Sequence, residues 1–165
     1  NWMNQQYLLK LPEEEYFRMI DDVIQKGDYH DQDPGKIRQA AEILKTRLVT
    51  LSDLNQKLGL FFEENPEIKD LQAIEVLKEE NSKTVLKEFL QQAENLDLLT
   101  SENLGQLVKS VQKTTGIKGR GLWMPLRCAI TREVSGPELP AMLDFFGGEK
   151  CLHLIRQTLE NPSLN

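Results

Sequence analysis

Apolar positions recur three and four residues apart in one segment after another, the spacing that lines one face of an α-helix. Behind Leu11-Pro12-Glu13-Glu14, a proline and acids suited to a first turn, Tyr16, Ile20, Val23 and Ile24 keep that spacing up to Gly27. Asp28 to Gly35 then reads as a polar loop. Lys36 to about Val49 predicts a second helix, with Ile37, Ala40, Ala41, Leu44 and Leu48 on one stripe and Lys45 and Arg47 at its solvent edge near the C-terminal end, where cations suit the helix dipole. Thr50 is placed to cap a helix over Leu51 to Leu60 with Asp53 as its capping partner.

Asn65-Pro66 stops that helix after an acidic pair and is the best internal boundary, the border of two helical subdomains falling between it and Asn81. Beyond it, Leu71, Ile74 and Leu77 keep helical register within Asp70 to Glu79. Ser82 can cap a helix bearing Val85, Leu86, Phe89, Leu90 and Ala93. Thr100 or Ser101 caps another, with Leu104, Leu107, Val108 and Val111 on one face and Gly116 at its end. Pro125 opens a short run from Leu126 to Thr131, and Pro137 to Phe146 and Glu149 to Glu160 form a last pair broken by Gly147-Gly148. No alternating β-branched run is long enough for a strand, so the pattern predicts an all-α helical array.

Composition adds limits. With 39% hydrophobic and 28% charged residues over 165 positions, the chain can build real cores. Its formal charge of -6 argues against duplex binding through bulk positive charge, and with no cation-rich recognition helix it disfavours a helix-turn-helix reader. A local basic face remains open. Cys128 and Cys151, with no signal peptide ahead of them, fit buried thiols in a reducing cytosol better than a disulfide framework. No apolar run approaches the ~18 residues of a membrane span.

Candidate chemistry concentrates in Gly116 to Leu139, GIKGRGLWMPLRCAITREVSGPEL. Gly116, Gly119 and Gly121 alternate with Lys118 and Arg120, so backbone N–H groups and long cations could reach one anion. Arg127, just after Pro125, falls near the start of the short helix, beside free backbone donors. The alternative is a connector whose glycines turn the chain and whose Trp123 fills a core. Elsewhere the chain offers little. His30, Asp31 and Asp33 share a loop of the kind that is usually a solvated turn, and Cys128, Cys151, His30 and His153 are too scattered for a zinc site, so no metal is assigned. Gly116-Ile-Lys-Gly-Arg-Gly neither follows a strand nor opens a helix directly, no nucleotide-binding loop occurs, and Ser135 lacks a base and an orienting acid. No catalytic residue is assigned.

GIKGRGLWMPLRCAIT, then SGPEL, then FFGGEKCLHLI resemble the C-terminal, anticodon-binding half of bacterial-type glutamyl-tRNA synthetases. There the pattern runs K-G-K/R-x-L-x-M-P-L-R-x-A-L-T, then H/T-G/x-P-x-L, then an L-L-G-K-E-R helix start. NWMNQQYL is similar to that family's W-M-N-G-x-Y-I segment, and ILKTRLVTLSDLNQKLGLFFEENPEI to the helix pair that opens its anticodon-binding region. The chain departs at Gln5 for the usual Gly and at Trp123 for a more common Phe, and from Pro66 to Gln112 it matches only in length and helical character.

The resemblance implies a cage-like anticodon-binding domain. It divides the chain into the end of a stem-contact region (1–35), a first anticodon-binding subdomain (36–80) and a second (81–165). It implies that Arg127 and the turn Gly136-Pro137 with Leu139 face unstacked anticodon bases of tRNA-Glu, with Lys118 and Arg120 on phosphates. Arg47 falls where the family reads the third anticodon base. An arginine there resembles the enzymes that accept C and disfavour G, and a register offset of one turn shifts the role to Lys45 or removes it. The family's catalytic part, with its HIGH-like and KMSKS-like motifs, is expected ahead of Asn1. The implied parent is a monomeric cytoplasmic glutamate-tRNA ligase using ATP and Mg²⁺, and this part alone holds the tRNA. The rival class is a helical protein-interaction module in which the arginines are solvated.

Overall fold

A computed structural model describes residues 2–164; the first residue of the NWMNQQYL segment, Asn1, lies outside the described residues. The chain divides into two compact units, Asn1–Pro66 and Glu67–Asn165. All the regular elements described are helical, as the apolar periodicity predicts.

The first unit holds α1 (Trp2–Lys10), α2 (Glu13–Gln25), α3 (Pro34–Leu44), a 3-10 turn (Lys45–Arg47) and α4 (Asp53–Phe62). Tyr16, Ile20 and Ile24 form the buried stripe of α2, and Ile37, Ala40, Ala41 and Leu44 that of α3. The Tyr16 hydroxyl is satisfied in this core by donating to the Ala41 carbonyl at 2.8 Å, and burial raises its pKa above the usual phenol value. The second predicted helix ends at Leu44 rather than near Val49. The stretch Thr46-Arg47-Leu48-Val49-Thr50 contains three β-branched residues, which lose rotamer freedom in a helix. A 3-10 turn lets the chain bury Leu48 completely and exposes the Thr46 carbonyl to Gln5 Nε2, which donates to it at 2.7 Å. α4 starts at Asp53 with Ser52 at the cap position, two residues later than Thr50 as cap would place it, and the expected Thr50–Asp53 pair forms by half. Asp53 Oδ2 accepts from the Thr50 N–H at 3.0 Å, while the Thr50 hydroxyl turns to Ser52 Oγ at 2.7 Å.

The polar loop before α3 is built from local bonds. Asp33 caps α3 by accepting from the Lys36 N–H at 2.8 Å, His30 Nε2 lies 3.0 Å from Asp31 Oδ1, and Asn55 of α4 bonds both the N–H and the carboxylate of Asp28. Asp33 is thus engaged as a helix cap. Among the described residues no group of three or more His, Cys, Asp or Glu could hold a metal ion, and no helix is long and apolar enough to cross a membrane.

The second unit holds α5 (Leu71–Lys78), α6 (Glu80–Ala93), α7 (Ser101–Thr115), α8 (Arg120–Thr131), α9 (Leu139–Phe146) and α10 (Gly148–Glu160), closed by a 3-10 turn at Pro162–Leu164. Here α6 packs on α5, α7, α8 and α10, and α8 packs on α5, α6, α9 and α10, so α6 and α8 together form the centre of the unit. The start of α7 matches the sequence reading: Thr100 and Asn103 form a capping box, and Gly116 ends the helix at φ 72°. Two neighbours differ. α6 starts at Glu80, and Ser82, expected as its cap, is buried inside the helix. On α5 the core-facing residues are Ala73 and Leu77, while Leu71 is 75% exposed, because Asp70 caps the helix through the Gln72 N–H and so leaves Leu71 in the first turn. The break before α10 depends on a close approach: a Cβ on Gly148 would collide with the Leu99 carbonyl.

Candidate nucleic-acid interface

The Gly-rich stretch predicted as a cradle turns out to join two helices. Gly116 closes α7, and Gly119, at φ 60°, is the residue from which α8 starts. The sequence therefore does open a helix directly at Gly119-Arg120-Gly121, and α8 runs through Pro125 instead of beginning there. An interior proline forfeits one ladder bond and costs about 3 kcal/mol. The helix continues because Leu122, Leu126, Ala129 and Ile130 are all essentially buried, each apolar Leu or Ile worth about 1.5–3 kcal/mol. Burial of that face wins.

The longer helix changes where the site residues stand. Arg127 is two turns into α8, not beside free N–H groups at a helix start. Arg120, Trp123, Met124 and Arg127 follow one another at the i, i+3, i+4, i+7 spacing that keeps side chains on one face. Arg120 is exposed, Trp123 is 42% exposed and Arg127 is half-buried. Lys118, exposed just before the helix, extends the same cationic run. Trp123 is therefore a surface residue rather than core filling.

Arg127 Nη2 donates to Glu138 Oε2 at 2.9 Å, the pairing with an acid that a helix-borne arginine here could also adopt. The Arg127 side chain is 26% exposed and the carboxylate 66%, and a pair whose acid is open to water contributes about 1 kcal/mol. The guanidinium can exchange it for a nucleic-acid acceptor at small cost.

Behind this face the turn between α8 and α9 is packed tightly. Gly136, Pro137 and Leu139 are buried, and α9 starts at Leu139, with Pro140 in its first turn, two residues later than Pro137 suggests. A Cβ on Gly136 would overlap the Thr131 side chain, so glycine is required by close approach. The Thr131 hydroxyl lies within hydrogen-bond distance of the Arg127 and Glu133 carbonyls, at 2.9 and 3.0 Å, and can donate to one at a time. Asp70 Oδ2 accepts from the Val134 N–H at 2.9 Å, fixing the turn to the start of α5. The turn thus positions Glu138 opposite Arg127.

Arg132, absent from the sequence reading, anchors the turn from below. It adopts φ 64° and is 6% exposed; Nη1 donates to the Ala129 carbonyl and to Thr158 Oγ1, both at 2.8 Å, and Nη2 donates to Gln157 Oε1 at 2.9 Å. Burial pushes its pKa down to about 10, so it stays charged at neutral pH. The sequence signal for it is faint: a cation directly after an apolar helix face, where a C-terminal residue in the left-handed region is common.

Cys128 and Cys151 are free and buried, and desolvation pushes both thiols up from 9.0 to about 12, Asp70 adding to the effect at Cys128. In the fold they hold their protons more tightly than in the unfolded chain, so this part of the stability is complete below about pH 9 and is lost as pH rises toward 12. Neither thiol should react with a thiol reagent at pH 8 until denaturant is added. Rapid labelling of the folded chain would contradict this.

Arg47 belongs to the first unit, at the end of the 3-10 turn, and is half-buried. Lys45, the residue that an offset of one turn would substitute for it, lies with its ammonium 4.6 Å from the centroid of the Tyr16 ring. The remaining site residues, Lys118, Arg120, Arg127, Gly136, Pro137 and Leu139, belong to the second unit.

Fold and face define the class: an all-α module whose described elements present one cation-and-aromatic helix surface. A family model described as an anticodon binding domain matches residues 6–159, and the chain belongs to that family. Its relatives include glutamate–tRNA ligases of Latilactobacillus sakei, 32% identical over 96% of this chain and 33% of the relative, and of Listeria monocytogenes, 34% identical over 97% and 34%. The chain spans about a third of the length of these relatives. A crystal structure of a glutamate tRNA ligase from Elizabethkingia meningosepticum in complex with its amino acid shares the fold, with a TM-score of 0.71, 22% identity and coverage of 97% of this chain and 31% of that one.

Proposed function

We propose that this chain is the anticodon-binding part of a glutamate–tRNA ligase and holds the anticodon arm of tRNA-Glu. The observation that carries the reading is the face of α8 formed by exposed Arg120 and Trp123 and half-buried Arg127, in a chain of the anticodon-binding family. On this reading Arg127 meets an unstacked anticodon base, Lys118 and Arg120 meet phosphates, and Arg47 meets the third base. Gly136, Pro137 and Leu139 shape the turn that borders the bases. The stretches 1–35, 36–80 and 81–165 serve as the end of a stem-contact region and two anticodon-binding subdomains. The whole enzyme is a monomer of the cytoplasm that ligates glutamate using ATP and Mg²⁺, on a catalytic part that these 165 residues do not supply.

Titration with a tRNA-Glu anticodon stem-loop tests this. Saturable binding is expected, with affinity falling steeply with salt as phosphate contacts release counterions. No glutamyl-tRNA should form from the 165 residues alone, and its appearance would overturn the assignment of roles. Arg127→Ala should weaken binding about tenfold, the loss of one charged hydrogen-bonding group, while the melting temperature changes little because the pair with Glu138 is worth only about 1 kcal/mol. Unchanged affinity with a lowered melting temperature would reduce Arg127 to a structural residue. Binding that ignores salt would favour a protein partner instead.

A further inference from the structure

We propose that Trp123 is a stacking platform for one splayed base of the bound RNA, a proposal that rests on the α8 face being the RNA-binding surface. A fold has reason to bury an indole: burial of an aromatic side chain removes 150–250 Å² from water. Yet Trp123 is 42% exposed in the first turn of α8, while Leu122 and Leu126 beside it are buried at 1% and 0%. Its neighbours on the surface are Arg120, about 4.5 Å back along the axis, and Arg127, about 6 Å forward, given 1.5 Å of rise per residue. Among the described residues Arg120 makes no ion pair.

That company selects the occupant. An apolar protein surface docking on the indole would have to desolvate the Arg120 guanidinium, which has no counter-charge among the described residues, and the neighbouring Arg127–Glu138 pair as well. A nucleotide supplies both parts, a π-face for the ring and a phosphate for the cations. Duplex bases offer no free face to a side chain on a convex helix, whereas loop bases can swing out and stack. The platform therefore suits an unpaired base, and stacking reads its face rather than its edge. Trp123 supplies affinity here and leaves base identity to hydrogen-bonding groups.

The test uses the full chain in a Trp2→Phe background, so that Trp123 is the sole indole. Binding of a labelled tRNA-Glu anticodon stem-loop is followed by anisotropy, and indole emission is read separately. Indole quenching should saturate in step with binding. Trp123→Leu should weaken binding about tenfold, the typical loss of one base stack, and Trp123→Phe should restore most of it. The salt slope should be unchanged by Trp123→Leu and reduced by about 1 by Arg120→Gln, because only the latter gives up a phosphate contact. RNA binding with no quenching, and with wild-type affinity for Trp123→Leu, overturns the platform and leaves the RNA-binding reading intact. Absence of any RNA binding overturns both.

Discussion

Arg132→Ala is expected to destabilise the second unit by about 3 kcal/mol, the charge-assisted bonds of its guanidinium being worth about 1.5–3 kcal/mol each and relief of a buried charge returning part of the sum. Its hydrogen bonds reach Ala129 at the end of α8 and Gln157 and Thr158 of α10, so one side chain joins two helices and the turn between α8 and α9. No carboxylate accompanies it in those contacts, and Nε is left without a partner. The backbone sharpens the test. At φ 64° a non-glycine residue carries about 1–2 kcal/mol of strain. Arg132→Gly loses the same side-chain bonds but sheds that strain, with part of the gain returned to the more flexible unfolded chain. It should therefore be about 1 kcal/mol more stable than Arg132→Ala. Urea unfolding at pH 7 measures both differences. An alanine variant within 1 kcal/mol of the parent would show that the guanidinium network is no anchor.

That residue also marks the limit of what the sequence discloses. α7 is legible because its determinants are local: Thr100, Asn103 and Gly116 act within one turn of the helix ends, and Leu104, Leu107, Val108 and Val111 set its face. α8 is misread because its glycines and proline speak locally for a break, while the burial of Leu122 and Leu126 against neighbouring helices overrides them. Tertiary packing decides there. Had the helix been carried through Pro125, the spacing of Arg120, Trp123 and Arg127 would have shown one face from sequence alone. The Arg132 network joins residues 26 positions apart, through Thr158, and no periodicity reports such a bond. Ser82 and Leu71 fail for a related reason: Glu79 and Asp70 take the cap positions, so the first turns shift and different side chains meet the core.

On the proposed reading the native chain should prefer anticodons ending in C over those ending in G by about ten- to hundredfold, or about 1–3 kcal/mol, and Arg47→Gln should remove most of that preference. Guanidinium carries a planar fork of donors and no acceptor. Cytosine offers its ring nitrogen and carbonyl to that fork, whereas guanine presents two donors on the same edge, which the fork cannot satisfy. Leaving such groups unpaired in a closed contact is what carries the penalty. Glutamine has one donor group and one acceptor and can turn either toward a base, so the preference should shrink to a few-fold at most. The assignment of Arg47 rests on its place in the resemblance, and it gains support from the local geometry. Lys45 lies over the Tyr16 ring, and the 3-10 turn separates Arg47 from the buried stripe that ends at Leu44. A helix-end arginine serving only the dipole would leave both stem-loops equally bound. Binding constants for C-ending and G-ending anticodon stem-loops, taken at one salt concentration for the native chain and for Arg47→Gln, separate these cases. Equal affinities in the native chain would defeat the discriminating role of Arg47 while leaving anticodon binding through the α8 face untouched.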